Sequence, residues 1–586
     1  MKPHSAAGSA LRVSHSVPQN RPSLKVPKEN NRFLCWPPAS DSKQLLQRNQ
    51  VILSHRALPV WFRELRTLAR TQALTASKSY MSSYAPALAD FISVSDLNAK
   101  HWIVGGHQPE LFHPGVWFKN FLMSEIGKQT DSIGMQVIVD HDVARSDSLR
   151  VPYLQSPNPI RSINASHRTE SELAQRSITL PIRGESQPRM PWHSTLTRYA
   201  DPESWKRTLA NIEQSATSCG LAEPLIHRHQ ELLKNCIASQ KNIGDAFSEF
   251  RHRLEMSHGV FNLEVPLGYL CSDSALGFFL QHCVRNAESL WSSYNRCRDA
   301  YRARHRIRNQ GQPVLELLRN QSSIELPFWI YQENQPVVER KRMWASSLPD
   351  NQMLLCDHAQ PDQATVSAIV PLAEEQLAEA WGKIAERGIC IRPRALMTTL
   401  YLRCFVADLF VHGIGGGTYD ELTDDIIMAW IGIDPPIYLT SSASLHLPLK
   451  VNQESEAIEP TASRNSIERA LHLMRSVPER YLDRAIDSQR ILAEAHSQKI
   501  ASIPERGKKL AWHREMANLK QQIEIAIEPK KRTALAKLEA TQRELQQRKI
   551  VSSREYSFVL FEEHDVVDRL SRLANAAYRD TTDSGK

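Results

Sequence analysis

The chain carries no run of the roughly 18 to 20 apolar residues that a membrane span needs, so no membrane partner is expected. Its first forty residues hold no apolar stretch like that of a secretory signal. They are rich in Ser, Pro, Lys, Arg and Asn, and residues 1–44 read as a disordered leader. Cysteine is sparse, at nine in 586 residues, an odd number without any C-x-x-C spacing. That pattern excludes a disulfide framework and a cysteine-rich zinc site, and a reducing cytoplasm suits it. Charge of one sign is also lacking. Lys and Arg total 72 against 64 Asp and Glu, a dispersed excess of +8 that gives no reason to expect a nucleic-acid partner.

What remains is a chain long enough for two to four domains with an ordinary apolar fraction of 41%. The most informative stretch is 101–142. An apolar strand, His101-Trp102-Ile103-Val104, runs into the loop 105–115, an amphipathic helix follows, and a second strand, Gln136-Val137-Ile138-Val139, ends in Asp140-His141-Asp142. This is the grammar of a βαβ unit with its polar groups where parallel strands finish, the edge at which open α/β sheets bind ligands. It predicts residues 45–150 as the first half of an α/β core, with helices before Trp102. Residues 151–388 read as an α-rich insertion with mixed elements, including a hairpin of 328–331 with 337–340. The α/β grammar returns over 389–460, with strands at 389–394, 408–412 and 436–440 expected in the same parallel sheet. A charged helical hairpin is predicted over 461–550, broken at Pro478, near Pro504 and at Pro529, with Leu535, Leu538, Leu545 and Ile550 as its apolar stripe. A closing strand at 556–561, a helix and a disordered tail complete 551–586.

The first loop places Gly106, His107, Gln108 and His113 ahead of a helix that carries Lys119. Glycine permits close backbone approach, a helix N-terminus offers free N–H groups, and lysine or imidazole can neutralise an anion. The loop matches neither the dinucleotide nor the P-loop fingerprint. In Asp140-His141-Asp142 strand alternation sends His141 away from the two carboxylates, so amine or hydroxyl binding with His141 as acid or base is expected rather than a metal. Gly415, Gly416 and Gly417, ahead of Tyr419, suggest a turn of positive φ or a close approach to a ligand. Arg392 and Arg394 flank a proline at another strand end and could clamp a carboxylate or phosphate.

Taken together, these residues resemble the bacillithiol biosynthesis cysteine-adding enzyme (BshC) family. Gly106 to Gly115 with Lys119 resembles its early glycine- and glutamine-bearing loop, Val139 to Asp142 its Glu-Asp-His-Asp strand end, Pro393-Arg394 its Pro-Arg segment, and Gly415 to Tyr419 its glycine turn before a tyrosine. The chain departs from the family at His107, where a glutamine is usual, in the order Pro114-Gly115, at Val139 for an acid, and at Gly416-Gly417-Thr418 for Pro-Gly-Glu. The resemblance implies a Rossmann-like parallel sheet split by the insertion, a coiled-coil-like hairpin able to pair two copies into a homodimer, and ligation of cysteine to the amine of an amino-sugar conjugate. ATP or ADP is the cofactor it allows. On that reading His107, Asp140, His141 and Asp142 carry the chemistry, while Lys119 and Arg394 hold anions. The alternatives are a nucleotide-dependent transferase of the same fold with another substrate, or a non-catalytic ligand-binding or scaffold protein.

Overall fold

The structure, a computed structural model, describes residues 24–91, 99–155, 172–184, 186–309, 314–333, 335–449, 460–502 and 504–580. Expectations for 1–23 and for the tail 581–586 lie outside those residues. Two units are separated, one of 1–151, 176–447 and 554–586, the other of 152–175 and 448–553.

The larger unit is mixed α/β. Its strands are β1 (Arg32–Trp36), β2 (Trp102–His107), β3 (Ile133–Ile138), β4 (Leu263–Pro266), β5 (Ile324–Gln332), β6 (Lys341–Leu348), β7 (Gln352–Cys356), β8 (Ser367–Pro371), β9 (Ile389–Pro393), β10 (Leu409–His412) and β11 (Tyr438–Ser444). Six form one sheet in the order β1-β11-β10-β2-β3-β4. All neighbours in it are parallel except β1, which runs antiparallel to β11. The central strands are apolar on both faces, as a sheet covered on both sides requires. The second sheet, β8-β7-β6-β5-β9, is antiparallel throughout.

The βαβ unit forms as its sequence predicts. Its helix, Pro114–Thr130, has proline at its start, where a missing N–H is harmless, and ends on Asp131 in the left-handed conformation. It is buried almost all round, with Trp117, Phe118, Leu122 and Met123 unexposed. Elsewhere the partner strands differ from expectation. Ile389–Pro393 pairs antiparallel with β5 in the second sheet, not in the parallel one. A short apolar run reads alike in either setting, since partner choice is decided by contacts distant in sequence. Leu263–Pro266, inside the expected insertion, supplies an edge strand of the parallel sheet, and Arg32–Trp36, inside the expected leader, supplies the other. The hairpin near 330 exists, but its second strand starts at Lys341. Over 556–561 the expected strand is a single 3-10 turn, Phe558–Leu560.

The three consecutive glycines lie in the first turn of the helix Ile414–Ile426, without positive φ. Two of them are required by packing. A Cβ on Gly416 would stand 2.8 Å from His412 Nδ1, and one on Gly417 would stand within 2.9 Å of Thr440 Cγ2 and closer still to its Oγ1. Gly417→Ala should therefore cost about 1–3 kcal/mol by overpacking, read as a lower urea midpoint at unchanged slope.

The smaller unit is helical, with Pro460–Ser476, Asp487–Ala501 and the 43-residue helix Lys509–Val551. Pro529 does not break that helix. An interior proline costs about 3 kcal/mol. Here Ile523 and Ile527 continue into a buried cluster with Leu471, Met474 and Leu482, which offsets it. Of the expected stripe, Leu538 packs against that cluster and Ile550 is buried, while Leu535 stays 36% exposed.

Candidate functional site

The parallel strands run outward from β2 to β3 and β4 on one side, and the chain returns at β10 and β11 on the other. The order therefore reverses between β2 and β10. Loops leaving two such strands diverge and open a crevice at their carboxyl ends. His107 ends β2, His412 ends β10, and the helices Pro114–Thr130 and Ile414–Ile426 begin just beyond them.

One half of this edge is basic. Lys119 is 3% exposed, and its Nζ donates to the Gly106 carbonyl at 2.9 Å. Burial, with no compensating acid, pushes its ammonium down to about 8. Burial and then the Lys119 charge hold His107 down at about 3, so its imidazole is neutral at physiological pH. His107 Nδ1 lies 3.0 Å from the Gln108 carbonyl, an acceptor only, so Nδ1 carries the proton and Nε2 is the basic nitrogen. His412 is fixed likewise, with Nε2 donating to Asp420 Oδ2 at 2.8 Å. Asp420 in turn accepts from Arg403, and its charge is spent. Arg554 Nη2 donates to Ser442 Oγ at 3.0 Å, beside His113. Around the start of Ile414–Ile426 the space is open, with no other described residue, apart from chain neighbours and the helix's own backbone, within 4 Å of where a Cβ on Gly413 or Gly415 would stand. The first N–H groups of a helix have no acceptor of their own, so this turn presents donors to that space.

The other half mixes acids with buried cations. Asp140 accepts from the Gly268 N–H through both oxygens, at 3.0 and 3.2 Å. Burial raises its carboxyl to about 6 against the opposing pull of Arg392 and that N–H. Asp142 receives Gln108 Nε2 at 2.6 Å and Arg340 Nη1 at 2.7 Å. Burial alone would raise it, yet His141 and Arg340 outweigh that and hold it below the usual carboxylate range. His141 is held down at about 3 by burial, and its Nδ1 has no hydrogen-bond partner among the described residues. Asp245, raised to about 6 by burial and then by Asp140, stands behind them. Gln108 joins the halves, since it follows His107 in sequence and holds Asp142.

Of the residues singled out from sequence, Gly106, His107, Gln108, Lys119, Asp140, His141, Asp142 and Arg392 all come to this edge. Two do other work, and Tyr419 stays at the surface. His113 Nδ1 accepts the Gly115 N–H and caps its helix. Arg394 is committed to Glu325 at 2.7 Å and lies over Trp329. Tyr419 is 43% exposed. The glycines act through Gly415, which faces open space, while Gly416 and Gly417 fit the helix against β10 and β11. Sequence reasoning missed Arg340, His193, Asp245, Gly268 and Arg554. They lie in segments with no motif, and only the pairing of distant strands brings them in. No family model matches the chain, and no curated protein matches it.

Proposed function

We propose that the chain is a carbon-nitrogen ligase with a Rossmann-like core, which joins the carboxyl group of cysteine to the amine of an amino-sugar conjugate, as the family resemblance implies. The observation that carries this reading is the division of one crevice edge into a basic half without free acid and an adjoining half built on Asp140 and Asp142. A ligase of this kind has to hold an anionic group and an ammonium group side by side. Lys119 and the first turn of Ile414–Ile426 take the anion, and Asp140, which accepts from the Gly268 N–H where Asp142 is already paired with Arg340, takes the ammonium. The Asp140 carboxylate, raised by burial to about 6, takes the proton that the amine must lose before its nitrogen attacks the carboxyl carbon, while the neutral Nε2 of His107 accepts a hydrogen bond from that amine. Amide formation from a free carboxylate expels an oxide equivalent, so the carboxyl needs activation. ATP is the co-substrate this reading assigns, with its phosphates on the basic half; the carboxylate takes its phosphoryl or adenylyl group, and attack by the amine then expels that oxygen as phosphate or AMP.

Purified protein mixed with cysteine, a glucosamine-malate conjugate and ATP should yield the coupled thiol by mass spectrometry, and Asp140→Asn should slow its formation about a hundredfold. Absence of product with cysteine, alongside coupling of a different amine or acid, would move the chain to the related transferase reading. ATP bound in the crevice without turnover of any acceptor would instead favour a ligand-binding role.

A further inference from the structure

Where the second sheet meets the crevice, three side chains of different chemistry converge. His193 Nε2 lies 3.9 Å from Glu333 Oε1, and the Cys390 thiol donates to Glu333 Oε2 at 3.5 Å. Their ligating atoms all fall within 4.8 Å of one another. Bond lengths of about 2.0–2.3 Å around a tetrahedral zinc ion separate neighbouring ligands by roughly 3.3–3.8 Å. The cluster is therefore near ligating geometry without backbone movement.

Orientation favours the same outcome. His193 Nδ1 lies 3.0 Å from the Asp140 carbonyl, and the His193 backbone N–H donates to that same oxygen. A carbonyl only accepts, so Nδ1 carries the proton and Nε2, 3.9 Å from Glu333 Oε1, keeps its lone pair. This is the outer-shell arrangement that fixes metal-binding histidines. Tyr331 occupies that lone pair with its hydroxyl at 3.3 Å, a bond an ion would replace. Arg392 Nη2 stands 3.6 Å from Cys390 Sγ, placed to donate to a thiolate. Its positive charge argues against a cation until the acids are counted. Thiolate, Glu333 and Asp140 supply three negative charges, which balance Arg392 and a divalent ion. Glu333, Cys390 and Arg392 also line a cleft of about 80 Å³, enough to admit an ion and water.

A second cluster, His252, Glu255 and Glu264, has comparable spacing. There Arg251 already donates to both glutamates, so a cation occupies the position an ion would take.

We infer that His193, Glu333 and Cys390 form a binding site for a thiophilic divalent cation, Zn²⁺ by ligand type, with its fourth position open to the cleft. Binding exchanges the thiol proton for a sulfur-metal bond and releases that proton to solvent. Three protein ligands and an open position are the arrangement of catalytic rather than structural zinc. The inference rests on the geometry of these residues and their neighbours and does not depend on the ligase reading.

The full-length chain, stripped with chelator and titrated with Co²⁺, should take up one equivalent and develop a sulfur-to-cobalt charge-transfer band, with visible bands of tetrahedral intensity. Cys390→Ser should abolish the charge-transfer band, while Cys35→Ser should leave it intact. Glu333→Gln, at a half-exposed position where folding is not at stake, should weaken Zn²⁺ binding at least tenfold in competition with a chromogenic chelator. The inference is overturned by failure to bind Co²⁺ or Zn²⁺, by a charge-transfer band that survives Cys390→Ser, or by unchanged affinity in Glu333→Gln.

Discussion

Lys119→Met should make the protein more stable and, in the same step, blind to anions. The Lys119 ammonium is 3% exposed, and its one hydrogen bond among the described residues is to the Gly106 carbonyl. Burial depresses it from 10.5 to about 8. The sign follows from linkage. Between those two values the unfolded chain binds more protons than the folded one, so stability rises with pH across that window, and below it the full cost of a buried charge is present. At pH 7 that cost is about 3 kcal/mol, at 1.36 kcal/mol per pH unit. Methionine has similar reach and no charge, so the variant should gain up to that amount, less the lost hydrogen bond of about 1 kcal/mol. In wild type an anion on the basic half supplies the missing countercharge, so ATP or pyrophosphate should raise the melting temperature at pH 7, and less at pH 9.5. In Lys119→Met the shift should vanish. A less stable variant, or one that keeps the ligand-induced shift, would refute the assignment of Lys119 to anion binding.

Why the sequence revealed one wall of the crevice and not the other has a physical cause. The segment 101–142 is local. Strand, loop, helix and strand follow one another, so periodicity and loop chemistry suffice to place His107, Gln108, Lys119 and Asp140 at one edge. The opposite wall is made by long-range pairing. Ile389–Pro393 reads as a strand of the parallel sheet, yet it pairs with Ile324–Gln332 and so brings Arg392 to Asp140 while Arg394 is captured by Glu325. Residues two apart share a face of a strand, so what divides the two arginines is the strand's end at Pro393: Arg392 lies within it, while Arg394 caps the helix that follows. The glycines at 415–417 read as a turn of positive φ or a close approach to a ligand, yet none has positive φ, and the close approach of two of them is to His412 and Thr440 of the same chain. Arg340 and His193 carry no sequence signal at all. Each becomes functional only through the partner it meets, Asp142 for the one and the Asp140 carbonyl for the other.

The opposite end of the same sheet supplies the largest expected loss of stability and a control for the site. Asp408, 7% exposed, opens the segment that leads into β10. It accepts from Arg66 at 2.6 Å, from Arg70 at 2.8 Å and from the Trp102 N–H at 2.7 Å. Both arginines project from the helix Val60–Ser82 and also bind carbonyls of 404–407 and of Lys100, so one carboxylate fastens that helix to the starts of β2 and β10. Asp408→Asn keeps the shape but leaves two buried guanidinium groups without their countercharge. Breaking a buried ion pair from one side costs about 3–5 kcal/mol, and that loss is expected here at pH 7. Burial by itself would raise the Asp408 carboxyl, but its hydrogen bonds and the two arginines hold it well below the usual carboxylate range. Its contribution is therefore complete above the unfolded value of about 4 and disappears as pH falls through the folded one. Urea unfolding of wild type and Asp408→Asn should differ most at neutral pH and converge in acid. Because this carboxylate lies at the amino ends of the strands, ligand binding per folded molecule should be unchanged. A loss of anion binding in folded Asp408→Asn would show that the crevice depends on the far end of the sheet, and would weaken its assignment to the carboxyl ends alone.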